Sequence, residues 1–95
     1  MYRIVRTKSF AKSYRRLDRA GEFTKSVRDD LEHAIDTLAQ GKALGSSYVD
    51  HDLQGTYKGY RECHIKGDLL LVYQRYKKDL LLVLVDIGSH SQLFG

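Results

Sequence analysis

The chain has 95 residues, of which 42% are hydrophobic and 29% charged, and its formal net charge is +4. This length predicts one domain covering residues 1–95, while the apolar content and the absence of proline exclude a disordered chain. No apolar run approaches the roughly 20 residues that a membrane span needs, and the single cysteine, Cys63, excludes an internal disulfide and predicts a cytoplasmic protein.

The charges are unevenly distributed along the chain. Residues 1–20 carry seven Lys or Arg side chains against one Asp, a balance of +6, whereas residues 21–56 have a balance of −4 and residues 57–95 one of +2. A basic segment is typical of proteins that bind a polyanion, although a solvated charged surface gives the same pattern.

The N-terminal half predicts a short strand over residues 1–6 followed by two helices. Thr7 or Ser9 can cap the first helix, and its apolar face is formed by Phe10, Tyr14 and Leu17. The second helix ends near Gly41, and its apolar stripe consists of Val27, Leu31, Ala34, Ile35 and Leu38.

The C-terminal half predicts a loop over residues 42–56 and three strands over residues 57–65, 69–76 and 80–87. The turns between these strands are short, which indicates antiparallel hairpins. We therefore predict an α+β fold with the order β-α-α-β-β-β, in which two helices pack on one face of an antiparallel sheet.

Three of the four histidines lie outside the predicted helices. His51 lies between Asp50 and Asp52 in the polar loop, and by itself it is better explained by a solvated loop. His64 and Asp68 flank a tight turn, across which a carboxylate could approach the imidazole and fix its tautomer, although Asp is also common in turns. His33 lies in the second helix, and we assign it a structural role.

Side-chain alternation along the strand of residues 57–65 separates its polar residues. If Cys63 and Ile65 face the helices, Glu62 and His64 face solvent and Arg61 points to the core side. Arg61 would there need a carboxylate or backbone carbonyls, so it is either a structural ion pair or a phosphate contact.

The C-terminal tail contains His90 and Phe94. Phe94 either fills the edge of the core or stacks on a nucleobase, which contributes roughly 1–3 kcal/mol per base. The sequence has no zinc-finger spacing, P-loop, nucleophile elbow or metalloprotease motif. RNA cleavage without a metal or cofactor remains possible, because the 2′-hydroxyl is the nucleophile and imidazoles can transfer both protons.

Four motifs together resemble the YafQ branch of the RelE/ParE toxin superfamily. They are H-x-L-x-G at residues 51–55, Y-R-x-x-H at residues 60–64, the Asp-led strand ending in Tyr at residues 68–73, and G-[ST]-H-x-x-L-F at residues 88–94. The N-terminal 41 residues match the family only in their pattern of elements. The resemblance implies the toxin of a type II toxin–antitoxin pair that cuts mRNA in the ribosomal A site.

The resemblance also assigns residues. The family's catalytic positions fall on His51, His64, Asp68 and His90, and its terminal aromatic position on Phe94. The resemblance does not decide which imidazole is the base and which is the acid. Our hypothesis is that His51 or Asp68 accepts the 2′ proton, His90 protonates the leaving oxygen, His64 stabilises the phosphorane, and Phe94 holds a base. We expect further RNA contacts from Lys8, Lys12, Arg15, Arg16, Lys58 and Arg61.

The implied partners are a cognate antitoxin, the 70S ribosome and mRNA, with no membrane. Two other functions are compatible with this fold. A ParE-like toxin would inhibit DNA gyrase by protein contact, and a non-catalytic module would only bind RNA. The ParE-like function needs no histidine site, so the set His51, His64 and His90 argues against it.

Overall fold

The computed structural model describes the whole chain, residues 1–95. Its elements are β1 (Arg3–Arg6), α1 (Lys8–Arg19), α2 (Lys25–Ala39), β2 (His51–Asp52), β3 (Arg61–Lys66), β4 (Leu69–Tyr76), β5 (Leu81–Ser89) and α3 (His90–Phe94). The predicted α+β class is confirmed. Two elements, β2 and α3, were not predicted, because two and five residues are too few to show a period.

The five strands form one sheet in the order β1-β5-β4-β3-β2. Neighbouring strands from β2 to β5 are antiparallel, as expected, but β1 pairs in parallel with β5. The sheet is therefore mixed rather than entirely antiparallel. The sequence could not indicate this pairing, since the helical hairpin α1–α2 separates β1 from the other strands.

Both helices begin at a threonine whose hydroxyl accepts a backbone N–H: Thr7 from Phe10 and Thr24 from Val27. The helices pack on the same face of the sheet, and one cluster of 15 buried residues joins them to it. Its fully buried members include Leu38 of α2 and Leu71, Leu82 and Leu84 of the sheet. None of the helices has the length and apolar character needed to cross a membrane.

The sheet has a second, partly covered face, which we call the outer face because it points away from α1 and α2. Cys63 and Ile65 belong to the core cluster, so alternation places Glu62 and His64 on the outer face. Leu70 and Val72 of β4 also point there, yet they are 3% and 4% exposed. The C-terminal helix α3 packs against β5 and helps to cover this part of the outer face.

We predict that ionisation of Cys63 weakens the fold at high pH. Burial raises the pKa of this thiol from 9.0 to about 12. The unfolded chain therefore loses the thiol proton before the folded chain does, so this contribution to stability is complete below pH 9 and is lost between about pH 9 and 12.

The free energy of unfolding, measured with urea between pH 8 and 10.5, should fall less steeply with pH in Cys63→Ala than in the original chain. Every other titratable group is common to both proteins, so the difference between the two slopes reports Cys63. Identical slopes would contradict the prediction.

Candidate active site

A buried carboxylate bridges two histidines at the β2 edge of the outer face. Strand pairing sets His51 opposite Glu62, and Glu62 Oε1 lies 3.6 Å from His51 Nε2 and 3.5 Å from His64 Nε2. The Glu62 side chain is only 7% exposed, whereas the two rings are 45% and 41% exposed. A carboxylate so far removed from water needs positive partners, and the two imidazoles are placed to provide them.

The tautomer of His51 follows from its second contact. Its Nδ1 lies 2.7 Å from the carbonyl oxygen of Val49, and because a carbonyl can only accept, Nδ1 must carry the hydrogen. In the neutral ring the lone pair is then on Nε2, the atom that faces Glu62. His51 is therefore arranged to take up a proton on Nε2, where the Glu62 carboxylate stabilises the resulting positive charge.

Glu62 is the member of this cluster that the sequence analysis did not select. Alternation assigned it correctly to the side opposite Cys63, but it was expected to face solvent. It is 6% exposed, because β2, which was predicted as loop, pairs with β3 and brings His51 against it. The available signal was its position two residues before His64, on the same face of the strand.

A second group of side chains lies across the same face. The rings of His90 and Phe94 are 5.3 Å apart, and Phe94 meets Tyr57 edge-on at 4.9 Å. Phe94, Tyr57 and Val72 line a mostly apolar cavity of about 140 Å³. His90 itself is exposed, at the first position of α3.

Val72 connects the two groups. It is the strand partner of Glu62 in β4, and it also lines the cavity beneath Phe94. The histidines of the loop, the strand and the tail therefore lie on the same side of the sheet, where His51 contacts His64 and His90 contacts Phe94 instead.

Asp68 does not make the contact with His64 that the hairpin suggested. The carboxylate nearest to His64 is that of Glu62, because His64 points across the strand and Asp68 lies beyond the turn. Asp68 instead lines a separate cavity of about 300 Å³ together with Ser89 and Gln92. Since Leu69 pairs with Ser89, Asp68 lies at the end of the sheet from which His90 emerges.

Arg61 points to the face opposite His51, as alternation predicted, and its guanidinium is occupied there. Nη1 donates to Asp52 Oδ1 at 2.6 Å, Nη2 lies 3.3 Å from Asp50 Oδ2, and Nε donates to the Tyr73 hydroxyl at 3.3 Å. Burial opposes the charged form, but hydrogen bonds with Tyr73 and Asp50 outweigh it and raise the pKa of Arg61. This geometry fits the structural alternative better than the phosphate contact.

The other basic residues assigned to RNA lie apart from the histidines. Lys58 is exposed and follows Tyr57, which lines the cavity beneath Phe94. The other four belong to α1, are exposed, and lie on the helical side of the sheet, away from the outer face; they are Lys8, Lys12, Arg15 and Arg16.

The cluster at the β2 edge could also hold a metal ion. One ligand atom each from His51, Glu62 and His64 lies within 4.8 Å of the others. Two imidazoles and a carboxylate are a donor set that suits zinc and related ions. The same nitrogen lone pairs would serve either a proton or a metal.

The chain matches a known protein family over nearly its whole length. The family described as the bacterial toxin of type II toxin–antitoxin systems, YafQ, matches residues 2–95. A relative from Escherichia coli K12, the mRNA interferase toxin YafQ, is 32% identical over 91 residues, covering 85% of this chain and 97% of that protein. A YafQ relative from Haemophilus influenzae is 50% identical over 61 residues, which is 62% of this chain and 60% of that protein.

Solved structures agree over the full length. A metal-bound toxin from Helicobacter pylori is 42% identical, with a TM-score of 0.85 over 99% of this chain and 100% of that one. The toxin of the Escherichia coli DinJ–YafQ complex is 28% identical, with a TM-score of 0.83 over 100% of both chains. The chain therefore belongs to the YafQ family of bacterial toxins of type II toxin–antitoxin systems.

Proposed function

We propose that this toxin is a ribosome-dependent endoribonuclease that cuts mRNA in the A site without a metal or cofactor. The observation that carries the proposal is the placement of His51, Glu62 and His64 on the same sheet face as His90 and Phe94. The Escherichia coli relative is named an mRNA interferase, which is the activity that this surface is suited to perform.

The reaction needs a base on one side of the scissile phosphate and an acid on the other. His51 Nε2 takes the proton of the 2′-hydroxyl while that oxygen attacks phosphorus. The bond from phosphorus to the 5′-oxygen breaks, and His90 gives its proton to this leaving oxygen. The products are a 2′,3′-cyclic phosphate and a 5′-hydroxyl, and each proton transfer contributes ~10²–10⁴ to the rate.

His64 and Glu62 stabilise the charges that develop on the phosphorane and on the imidazoles during the reaction. As an imidazolium, His64 stabilises the additional negative charge on the phosphorane oxygens. Glu62 stabilises positive charge on His51 and His64 from beneath the rings. Because its carboxylate is 7% exposed, the substrate phosphate meets the rings first.

Asp68 and Phe94 act at the His90 side. Asp68 is a less suitable base than His51, because it lies at the end of the sheet next to Ser89. Asp68 therefore remains the second candidate for the base. Phe94 is backed by Tyr57, and a base of the codon would stack on the exposed part of this aromatic pair.

The basic surface of the toxin and the partner of its Escherichia coli relative indicate which molecules this toxin binds. The basic face of α1 would bind ribosomal RNA, and Lys58 would contact the message near Phe94. The Escherichia coli relative is found in complex with DinJ, and we propose a cognate antitoxin here too. An acidic segment that folds on binding could cover the cationic surfaces.

Replacing His90 by Ala should lower cleavage of a defined mRNA by at least ~10²-fold, because the leaving oxygen loses its acid. The assay uses purified protein with and without programmed ribosomes, and primer extension locates the cuts. His33→Ala is the matched control, since it removes an exposed imidazole from α2. Undiminished cutting by His90→Ala would remove His90 from the mechanism.

Expression of the toxin in cells tests the gyrase-directed alternative. Cell death with DNA damage and no mRNA cuts would favour that alternative.

Reversing two charges of α1, in Lys12→Glu/Arg16→Glu, should weaken ribosome binding and reduce its dependence on salt concentration. Each lost phosphate contact lowers the slope of log K against log salt by roughly 1. The control is Lys77→Glu/Lys78→Glu, which reverses the same number of exposed charges in the turn between β4 and β5. An equal change in both variants would contradict a specific role for α1.

We predict that Zn²⁺ binds to the cluster of His51, Glu62 and His64 and inhibits mRNA cleavage by the toxin. His51, Glu62 and His64 would hold the ion, and a structure of the Helicobacter pylori relative is metal-bound. The metal would occupy the nitrogen lone pairs that proton transfer requires. Calorimetric titration should give an affinity at least ~10-fold lower for His64→Ala than for His33→Ala. Equal affinities would exclude this cluster, and activation by Zn²⁺ would contradict the metal-free mechanism.

A further inference from the structure

The loop that carries His51 has little structure of its own to hold it. Between α2 and β3 the chain contains two short 3₁₀ turns and the two-residue strand β2. His51 and its neighbour Asp52 are both exposed, and β2 pairs with β3 through only two residue pairs. A general base on such a segment needs additional contacts, because a misplacement of 1 Å can cost two orders of magnitude in rate.

Two carboxylates on either side of His51 supply these contacts. Asp50 accepts a hydrogen bond of 2.6 Å from the Tyr73 hydroxyl and lies 3.3 Å from Arg61 Nη2. Asp52 accepts a bond of 2.6 Å from Arg61 Nη1. Arg61 and Tyr73 are themselves strand partners in β3 and β4, and Tyr73 is fully buried, so the loop is tied to the centre of the sheet.

The bonds made by Asp50 and Asp52 determine the face to which the His51 side chain points. Successive side chains of an extended segment point to opposite faces, so fixing Asp50 and Asp52 on the core side leaves His51 only the outer face. There its Nε2 meets Glu62, and its Nδ1 meets the carbonyl of Val49. Val49 has a φ of +48°, a costly conformation for a β-branched residue that surrounding contacts must maintain.

We propose that Arg61, Tyr73, Asp50 and Asp52 form a clamp that positions His51 for proton transfer, and that Arg61 and Tyr73 act through His51 rather than on the RNA. The expected effect of the clamp on the rate of cleavage rests on the proposed nuclease function. The expected effect of the clamp on the orientation of the His51 ring does not depend on that function. Burial, followed by the hydrogen bond to Asp50, raises the pKa of Tyr73, so its hydroxyl remains a donor at neutral pH.

The test compares Tyr73→Phe and Asp50→Asn with the control Ser13→Ala. The first variant removes a single hydroxyl and the second a single charge. Ser13→Ala also removes a buried hydroxyl that donates to a carboxylate, that of Asp86 at 2.7 Å, but it lies on α1 and away from His51. Thermal unfolding of all variants identifies effects that come from stability alone.

We expect kcat for ribosome-programmed mRNA cleavage to fall ~10- to 100-fold in both clamp variants, the range found when hydrogen-bond partners of metal-ligating histidines are removed. KM should change by less than about threefold, because no RNA contact is lost. Histidine ¹⁵N NMR should show His51 as the Nδ1–H tautomer in the original chain and in Ser13→Ala, and as a mixture in the clamp variants.

Three outcomes would overturn the clamp. The first is an unchanged His51 tautomer in both clamp variants. The second is a loss of kcat that Ser13→Ala reproduces at equal loss of stability. The third is a raised KM with unchanged kcat in Arg61→Lys, which would make Arg61 a phosphate contact. If the original chain cleaves no mRNA, the nuclease proposal fails while the NMR measurement still decides the clamp.

Discussion

The pairing of β2 with β3 is the constraint on which the candidate site depends. It consists of two residue pairs, His51 with Glu62 and Asp52 with Arg61. The first pair faces outward and forms the chemical cluster, while the second faces the core side and forms part of the clamp. Because side chains alternate strictly in a strand, a shift of one residue would exchange these roles and bring Asp52, a carboxylate, to the position of the proposed base.

The distribution of charge in the site follows from this separation. A surface that binds a phosphodiester should not present carboxylates, yet Asp50, Asp52 and Glu62 all lie within or beside it. Arg61 pairs with the two aspartates on the far side of the sheet, and Glu62 lies beneath the imidazoles. The groups that remain available to RNA at this edge are therefore the rings of His51 and His64.

Much of this organisation was predictable from the sequence. The helices were indicated by their periodic apolar residues, and the faces of β3 by the alternation of Cys63 and Ile65 with polar residues. The family resemblance identified the histidines without their geometry. The burial of Glu62 and the tie between Tyr73 and Asp50 could not be predicted, because they depend on a two-residue strand and on a contact between residues 23 positions apart. Local patterns carry no information about such contacts.

The position of His90 depends on a bulge in β5 and on Gly88 near the end of that strand. The β4–β5 register shifts between Val72 and Tyr73, and the additional residue on β5 is Val85. After this bulge Ile87 returns to the core, so Gly88 lies on the outer face. A Cβ there would come within 3.0 Å of Gln92 Oε1 and 3.4 Å of Leu93 Cδ2, so a larger residue would require these side chains of α3 to shift.

Gly88 therefore brings α3 into direct contact with the outer face, and the capping box between Ser89 and Gln92 fixes where that helix begins. His90 is the first residue after this cap. The backbone position of His90 is consequently set by the cap and by helix packing, whereas that of His51 is set by the ion pairs of its neighbours. An acid fixed by a helix and a base fixed by a clamp can each be disturbed without the other, so the two ends of the proposed reaction can be examined separately.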